Sequence, residues 1–429
     1  MKRVLFLVIA VIAAVLVISC APAAPAPPTP EAAPIILGLP TSFFQPLCKA
    51  GKLAVEMAID EINATGGVSV KDEGVKRPFS LVTADTRGGE PGTPVSAALM
   101  AVDKLIIDEK PDAIVVAPFR SEVMVATMDL IAKYKIVTLQ TIAQTPKLNE
   151  IYKSDPEKYK YWFRATTNSI YVGTNSAKTI DSLRVQFGHN KIFQIVQDTL
   201  WARGAAAANK AKLEGLGWTV VGSELVAVGT SDFSPVLTKA KTAGAQVIYI
   251  VGDMPTFPVC FKQWKAMKIP TMLFADFAVL TSPKGWELYG EDIDYVIVMP
   301  FPAGTGAPVK ALPKSVEFHK NWQKRGLPPM DDPRVVSSAY DAVYILKDAI
   351  ERAGFVPSTD PDRFVPFLEA TDMEGISGRI IFEDHQQVFN SDPKKCSIIV
   401  GYQWRAGKLV PVYPDLAAEA KIELAPWMK

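Results

Sequence analysis

Histidine and cysteine are scarce in this chain of 429 residues, with three of the first and four of the second. His189, His319 and His385 stand far apart in locally polar surroundings, so they read as surface groups and not as a general base or a metal cluster. None of Cys20, Cys48, Cys260 and Cys396 belongs to a C-x-x-C pair, which argues against zinc. An excess of one charge is also missing. Lys plus Arg number 46 and Asp plus Glu 45, a formal charge of +1, so no polyelectrolyte field is available for nucleic acid. Catalytic signatures are absent as well: no G-x-S-x-G, G-x-x-x-x-G-K-[ST], H-E-x-x-H or strand-following G-x-G-x-x-G occurs. The chain therefore reads as a non-enzyme, with no cofactor, no metal and no catalytic residue.

One long apolar run stands at the start. Val4 to Ile18 follows the basic Lys2-Arg3 and is 15 residues long, the length of a signal-peptide core and too short for a permanent span. It ends in Val17-Ile18-Ser19-Cys20, which resembles a bacterial lipobox and makes Cys20 the expected lipidation site once residues 1–19 are removed. Losing Lys2 and Arg3 turns the net charge from +1 to −1. Residues 20–34 then read as a tether, because 21–34 holds six Pro and six Ala, a composition that stays extended. Three Cys remain after Cys20, which allows at most one disulfide among Cys48, Cys260 and Cys396, and buried free thiols are the simpler reading.

The body of the chain is α/β in pattern. Strand-like runs at 35–39, 79–84, 113–117 and 136–140 alternate with helical periodicity at 50–63, 94–108 and 121–134. Ala113-Ile114-Val115-Val116-Ala117 has no polar alternation, as a parallel strand covered on both faces requires. The pattern restarts after 164–166, with strands expected at 192–196, 219–225, 247–251 and 272–275, and helices at 172–187, 201–216, 234–243 and 257–267. Two helices at 314–325 and 335–353 and two strands at 379–383 and 397–404 complete the chain, too few for a third domain.

Ligands of open parallel sheets bind beyond the carboxyl ends of the strands. The loops expected there carry Ser42, Phe43 and Phe44, Arg120 and Ser121, Ala143 and Gln144, Trp201, Asp253, and Asp276 with Phe277. This is a recognition vocabulary of aromatics, hydroxyls and a few charges.

Four segments in order resemble the Leu/Ile/Val-binding periplasmic proteins: Leu53-Ala54-Val55-Glu56 with Glu61-Ile62-Asn63-Ala64-Thr65-Gly66-Gly67-Val68; Asp232 to Lys241; Ala339-Tyr340-Asp341-Ala342-Val343; and Gly375 to Phe382. The resemblance implies a two-lobed type I periplasmic binding fold, each lobe a mostly parallel sheet flanked by helices, joined by three crossovers near 164–168, 299–302 and 373–378. Lobe 1 is then 35–165 plus 302–375, and lobe 2 is 166–301 plus 376–429. The implied function is a lipid-anchored, monomeric extracytoplasmic receptor, in the periplasm or on the outer face of the cell membrane. It captures a small molecule (amino acid, amide or related carboxylate) and delivers it to an ABC transporter permease. A sensory module signalling to a membrane partner shares the fold, and an exported α/β hydrolase lacks its nucleophile. By the same resemblance the clamp on an α-amino acid falls on Ser121, on Ile142-Ala143-Gln144, on Trp201 in place of a Tyr, and on Asp276 for the ammonium. Half of that clamp is altered, which puts an α-amino acid in doubt.

Overall fold

The computed structural model describes residues 32–429 except 91, 228, 254–255, 299–301, 303–306, 329, 331–334 and 391. The expected signal peptide, Cys20 and nearly all of the tether lie outside the described residues. Among the described residues no helix is long and apolar enough to cross a membrane.

Two sheets organise residues 34–429. In the first, the strands Phe79–Asp85, Ile35–Thr41, Ala113–Val116, Thr138–Gln140 and Trp162–Arg164 lie side by side and parallel. In the second, Thr219–Val226, Lys191–Gln197, Val247–Val251, Met272–Asp276 and Ile297–Val298 repeat the same parallel order. Each sheet thus places its first strand between its second and third, the arrangement that opens a crevice where the chain direction of winding reverses.

Burial follows from the apolar pattern. All four residues of Ala113–Val116 are buried, since helices cover both faces. In the second lobe Val247, Tyr249 and Val251 enter one apolar cluster while Ile248 and Ile250 enter another, the alternation expected of a strand with two dry faces. Helices Ser169–Phe187 and Leu200–Glu214 pack so closely that a Cβ on Gly173 would stand 2.2 Å from the Ala205 carbonyl oxygen. The first of these helices is capped by Asn168, whose side chain accepts from the Tyr171 amide, and ends at Gly188 with φ of 71°.

The chain leaves the first sheet after Arg164 and starts the second lobe with the helix at Ser169. It returns after Val298, and Phe318, Trp322 and the apolar side of helix Val336–Ala353 join the core of the first lobe. The third passage corrects the sequence reading. Residues 376–429 were expected wholly in lobe 2, yet Gly378–Glu383, Gln386–Gln387, Phe389–Asn390 and Ser397–Ile398 add to the first sheet, with Gln386 paired to Arg164. The single strand expected at 397–404 is two strands: Ser397–Ile398 belongs to the first sheet and Gly401–Arg405 to the second. The third crossover is therefore at 399–400, not 373–378, where the chain instead turns in a hairpin between Asp372–Gly375 and Gly378–Glu383. It runs beside the second crossover, since Pro302 and Ile399 form an antiparallel bridge.

Candidate functional site

The carboxyl ends of the central strands of both lobes border one cavity of about 730 Å³. From the first lobe it receives Phe44 to Leu47 after the first strand, Gly88 to Glu90, Phe119 to Glu122 after the third and Thr141 to Gln144 after the fourth. From the second lobe come Gln197 at the end of its first strand, Thr199, Leu200 and Trp201 after it, and Asp253 after its third. These are the loops at the two crevices, which explains why the cavity forms where it does.

Of the expected residues, Phe44, Arg120, Ser121, Ala143, Gln144, Trp201 and Asp253 line the cavity. Ser42, Phe43, Asp276 and Phe277 are not among its lining residues. The Ser42 hydroxyl is buried and accepts from the Gly89 amide at 2.9 Å, so it shapes a lining loop from behind. Phe43 packs on the first core and its amide donates to Asp85 Oδ1. Phe277 is buried in the second core, 6.0 Å edge-on from Phe257, because the chain after Asp276 turns inward into the short helix at 278–281. Asp276 is fully buried as the last residue of its strand, and burial together with this carboxylate pushes the Tyr249 phenol well above its ordinary range. The family position for the ammonium partner is thus beneath the surface, whereas Asp253 is the second-lobe acid at the cavity.

Lining residues beyond the expected site set include Thr141, Gln197 and Thr199. The hydroxyls of Thr141 and Thr199 are buried and have no hydrogen-bond partner among the described residues. One comes from each lobe, and an orphaned buried hydroxyl gains about 1 kcal/mol or more when a partner arrives. The signal available in the sequence was position alone: Gln197 ends its strand, and Thr141 and Thr199 follow theirs by one and two residues.

Arg120 precedes helix Ser121–Tyr134, whose start has no side-chain cap. Its guanidinium donates to the Thr93 carbonyl at 3.3 Å and lies 3.6 Å from Glu122. The strand leading there ends at Val116, and Val116 and the following Ala117 have φ of 71° and 65°, a left-handed pair that a β-branched residue rarely adopts and that is often found at binding loops. Glu90 is held by Arg87 at 2.7 Å, which keeps its carboxyl below the ordinary range.

The three later cysteines are buried and unbridged. His385 is not a surface group: it is 3% exposed, stacked between Phe163 and Tyr152, with Nδ1 against the Trp162 carbonyl and Nε2 against Glu369.

Comparison with known proteins agrees with this architecture. A sequence family described as periplasmic binding protein matches residues 38–393. A Leu/Ile/Val-binding protein of Rhizobium johnstonii is 24% identical over 386 residues, covering 88% of this chain and 94% of the relative. Among solved structures, one described as a branched-chain amino acid ABC transporter from Silicibacter pomeroyi superposes with a TM-score of 0.79 at 20% identity, over 92% of this chain and 100% of that one. A solute-binding protein from R. palustris in complex with benzoate gives 0.70 at 16% identity, over 91% and 98%. With its two parallel sheets, its paired crevices and a family match across nearly all of its folded length, this chain belongs to the periplasmic binding protein family.

Proposed function

We propose that this protein is an extracytoplasmic receptor that closes its lobes on a small amphipathic carboxylate and delivers it to an ABC importer. The observation that carries the reading is the cavity itself, lined by the strand-end loops of both lobes so that a solute there touches both. Arg120 and the uncapped helix start at Ser121 suit an anionic group. Phe44, Phe119, Ile142, Leu200 and Trp201 suit an apolar body, and the hydroxyls of Thr141 and Thr199 suit a polar substituent. An α-ammonium, if the solute has one, meets Asp253 and not Asp276. Support comes from the Rhizobium relative, named for Leu, Ile and Val, and from the R. palustris neighbour with benzoate, all small carboxylates with apolar bodies. The lipid on Cys20 holds the receptor at the membrane, and Cys20→Ala releases it into the soluble fraction.

Titration calorimetry with L-leucine, L-isoleucine and benzoate tests the reading. Trp201→Ala removes a stacking face and costs about 2 kcal/mol, roughly thirtyfold in affinity. Arg120→Gln weakens acids about tenfold or more and leaves a neutral amide analogue unaffected. Wild-type affinity in both variants for a bound acid would contradict the assignment.

A further inference from the structure

Arg164 is fully buried and forms no ion pair among the described residues. Its guanidinium meets four neutral oxygens instead. Nε donates to Gln140 Oε1 at 3.2 Å, Nη2 to the Thr145 carbonyl at 2.6 Å, and Nη1 to Asn149 Oδ1 at 2.7 Å and Gln386 Oε1 at 3.0 Å. It also lies 5.3 Å from the Trp162 ring. Burying a cation without a counter-ion is costly, and an apolar residue of similar volume usually serves stability as well. A planar fork of five donors, however, is the one side chain able to hold oxygens from several segments in fixed relative positions.

Those segments have functional addresses. Gln140, held by Arg164, donates from Nε2 to the Ala143 carbonyl at 3.0 Å, and Thr145 follows Gln144, so the guanidinium supports the cleft-lining loop at both ends. Gln386, held by the same guanidinium, donates to the Thr166 carbonyl at 2.6 Å and accepts from Asn168 Nδ2 at 3.1 Å, both in the first crossover. The loop and the crossover are also bonded directly. The Ser169 amide donates to the Gln144 carbonyl at 2.7 Å, and the Thr167 hydroxyl donates to Gln144 Oε1 at 3.1 Å.

We propose that Arg164 is the positioning residue of solute capture, setting the cleft loop through Gln140 and Thr145 and the first crossover through Gln386, so that the shape of the site and the angle between the lobes change together. It touches no solute and acts through the loop that carries Gln144, which it holds at Gln140 and Thr145. The proposal rests on the reading of the cleft as the solute site.

Hydrogen exchange on the full chain, followed by mass spectrometry, tests it. Without solute, Arg164→Lys keeps the charge but loses the fork, and the Ser169 and Ala165 amides and the 141–145 loop should exchange together about tenfold faster, while 247–251 in the second lobe is unchanged. Gln386→Met cuts only the crossover branch and should accelerate 165–169 alone. Benzoate or L-leucine added to wild type should protect 165–169 along with 141–145, and in Gln386→Met should protect 141–145 only. Equal acceleration of 247–251 in Arg164→Lys, or crossover protection undiminished in Gln386→Met, would overturn the proposal and leave Arg164 as a stability residue. If neither probe protects any segment, the solute class fails, and the solute-free comparison still decides the role of Arg164.

Discussion

Asp341→Asn should flatten the dependence of stability on pH. Asp341 is buried inside helix Val336–Ala353, and among the described residues its oxygens accept only the Ile376 amide, at 3.0 and 3.3 Å. Burial pushes its carboxyl from the ordinary 3.8 up to about 7, against the smaller pull of that amide and of Lys314. The folded state therefore holds this proton more tightly than the unfolded chain. Below about pH 4 both states are protonated and the group adds no penalty; as pH rises from about 4 to 7 the unfolded state ionises first and stability falls; above about 7 the penalty is constant. At about 1.4 kcal/mol per pH unit the whole window is worth roughly 4 kcal/mol, an order-of-magnitude figure. Asn keeps the shape and an oxygen for Ile376 but does not titrate. Urea unfolding followed from pH 4 to 8 should show wild type losing about 3 to 4 kcal/mol relative to the variant across that window. Surface carboxylates held low by cations, such as Asp362 beside Lys135 and Lys160, slope the other way but are common to both proteins and cancel in the difference. Parallel curves for the two proteins would refute a raised Asp341.

Two further outcomes follow from packing. Gly173→Ala places a Cβ 2.2 Å from the Ala205 carbonyl and should cost about 1 to 3 kcal/mol, whereas Gly215→Ala meets nothing nearer than 3.5 Å and should be close to neutral in thermal melts. In a Cys20→Ser background, a thiol reagent should label no cysteine in the folded protein and all three on unfolding, since Cys48, Cys260 and Cys396 are buried and not disulfide-bonded and burial pushes the Cys260 thiol far up. A bridged pair would leave one label.

What was legible in the sequence was whatever local pattern determines. Helix Ser121–Tyr134 and strand Val247–Val251 fall at their expected bounds, because an apolar stripe at helical spacing and a short β-branched run between turns have few alternative structures. Helix Pro46–Ala64 begins four residues before its expected start at Ala50, with Pro46 in its first turn, where a missing amide costs nothing. Long-range pairing was not legible. Nothing in Gly378–Glu383 says which sheet it joins; that depends on its hairpin partner Gln386–Gln387 reaching Arg164, 222 positions away from Gln386. The split of 397–404 between lobes is hidden because Ile398 to Gly401 is apolar or small throughout, a pattern shared by a continuous strand and a strand that changes sheets. At the cavity, loop composition located Phe44, Arg120, Gln144 and Trp201, but the direction of a strand-end side chain is set by the turn that follows. That turn buries Phe277 and leaves Thr141 and Thr199 to the cavity.

The central claim is that the two lobes close around a bound carboxylate and do nothing else to it. Small-angle X-ray scattering of the protein with and without saturating benzoate or L-leucine, with chromatography of the recovered solute, tests this most directly. The account predicts a smaller radius of gyration and a higher melting temperature with solute, and solute recovered unchanged. A calorimetrically bound solute that leaves the radius of gyration unaltered, or that is converted to product, would contradict it.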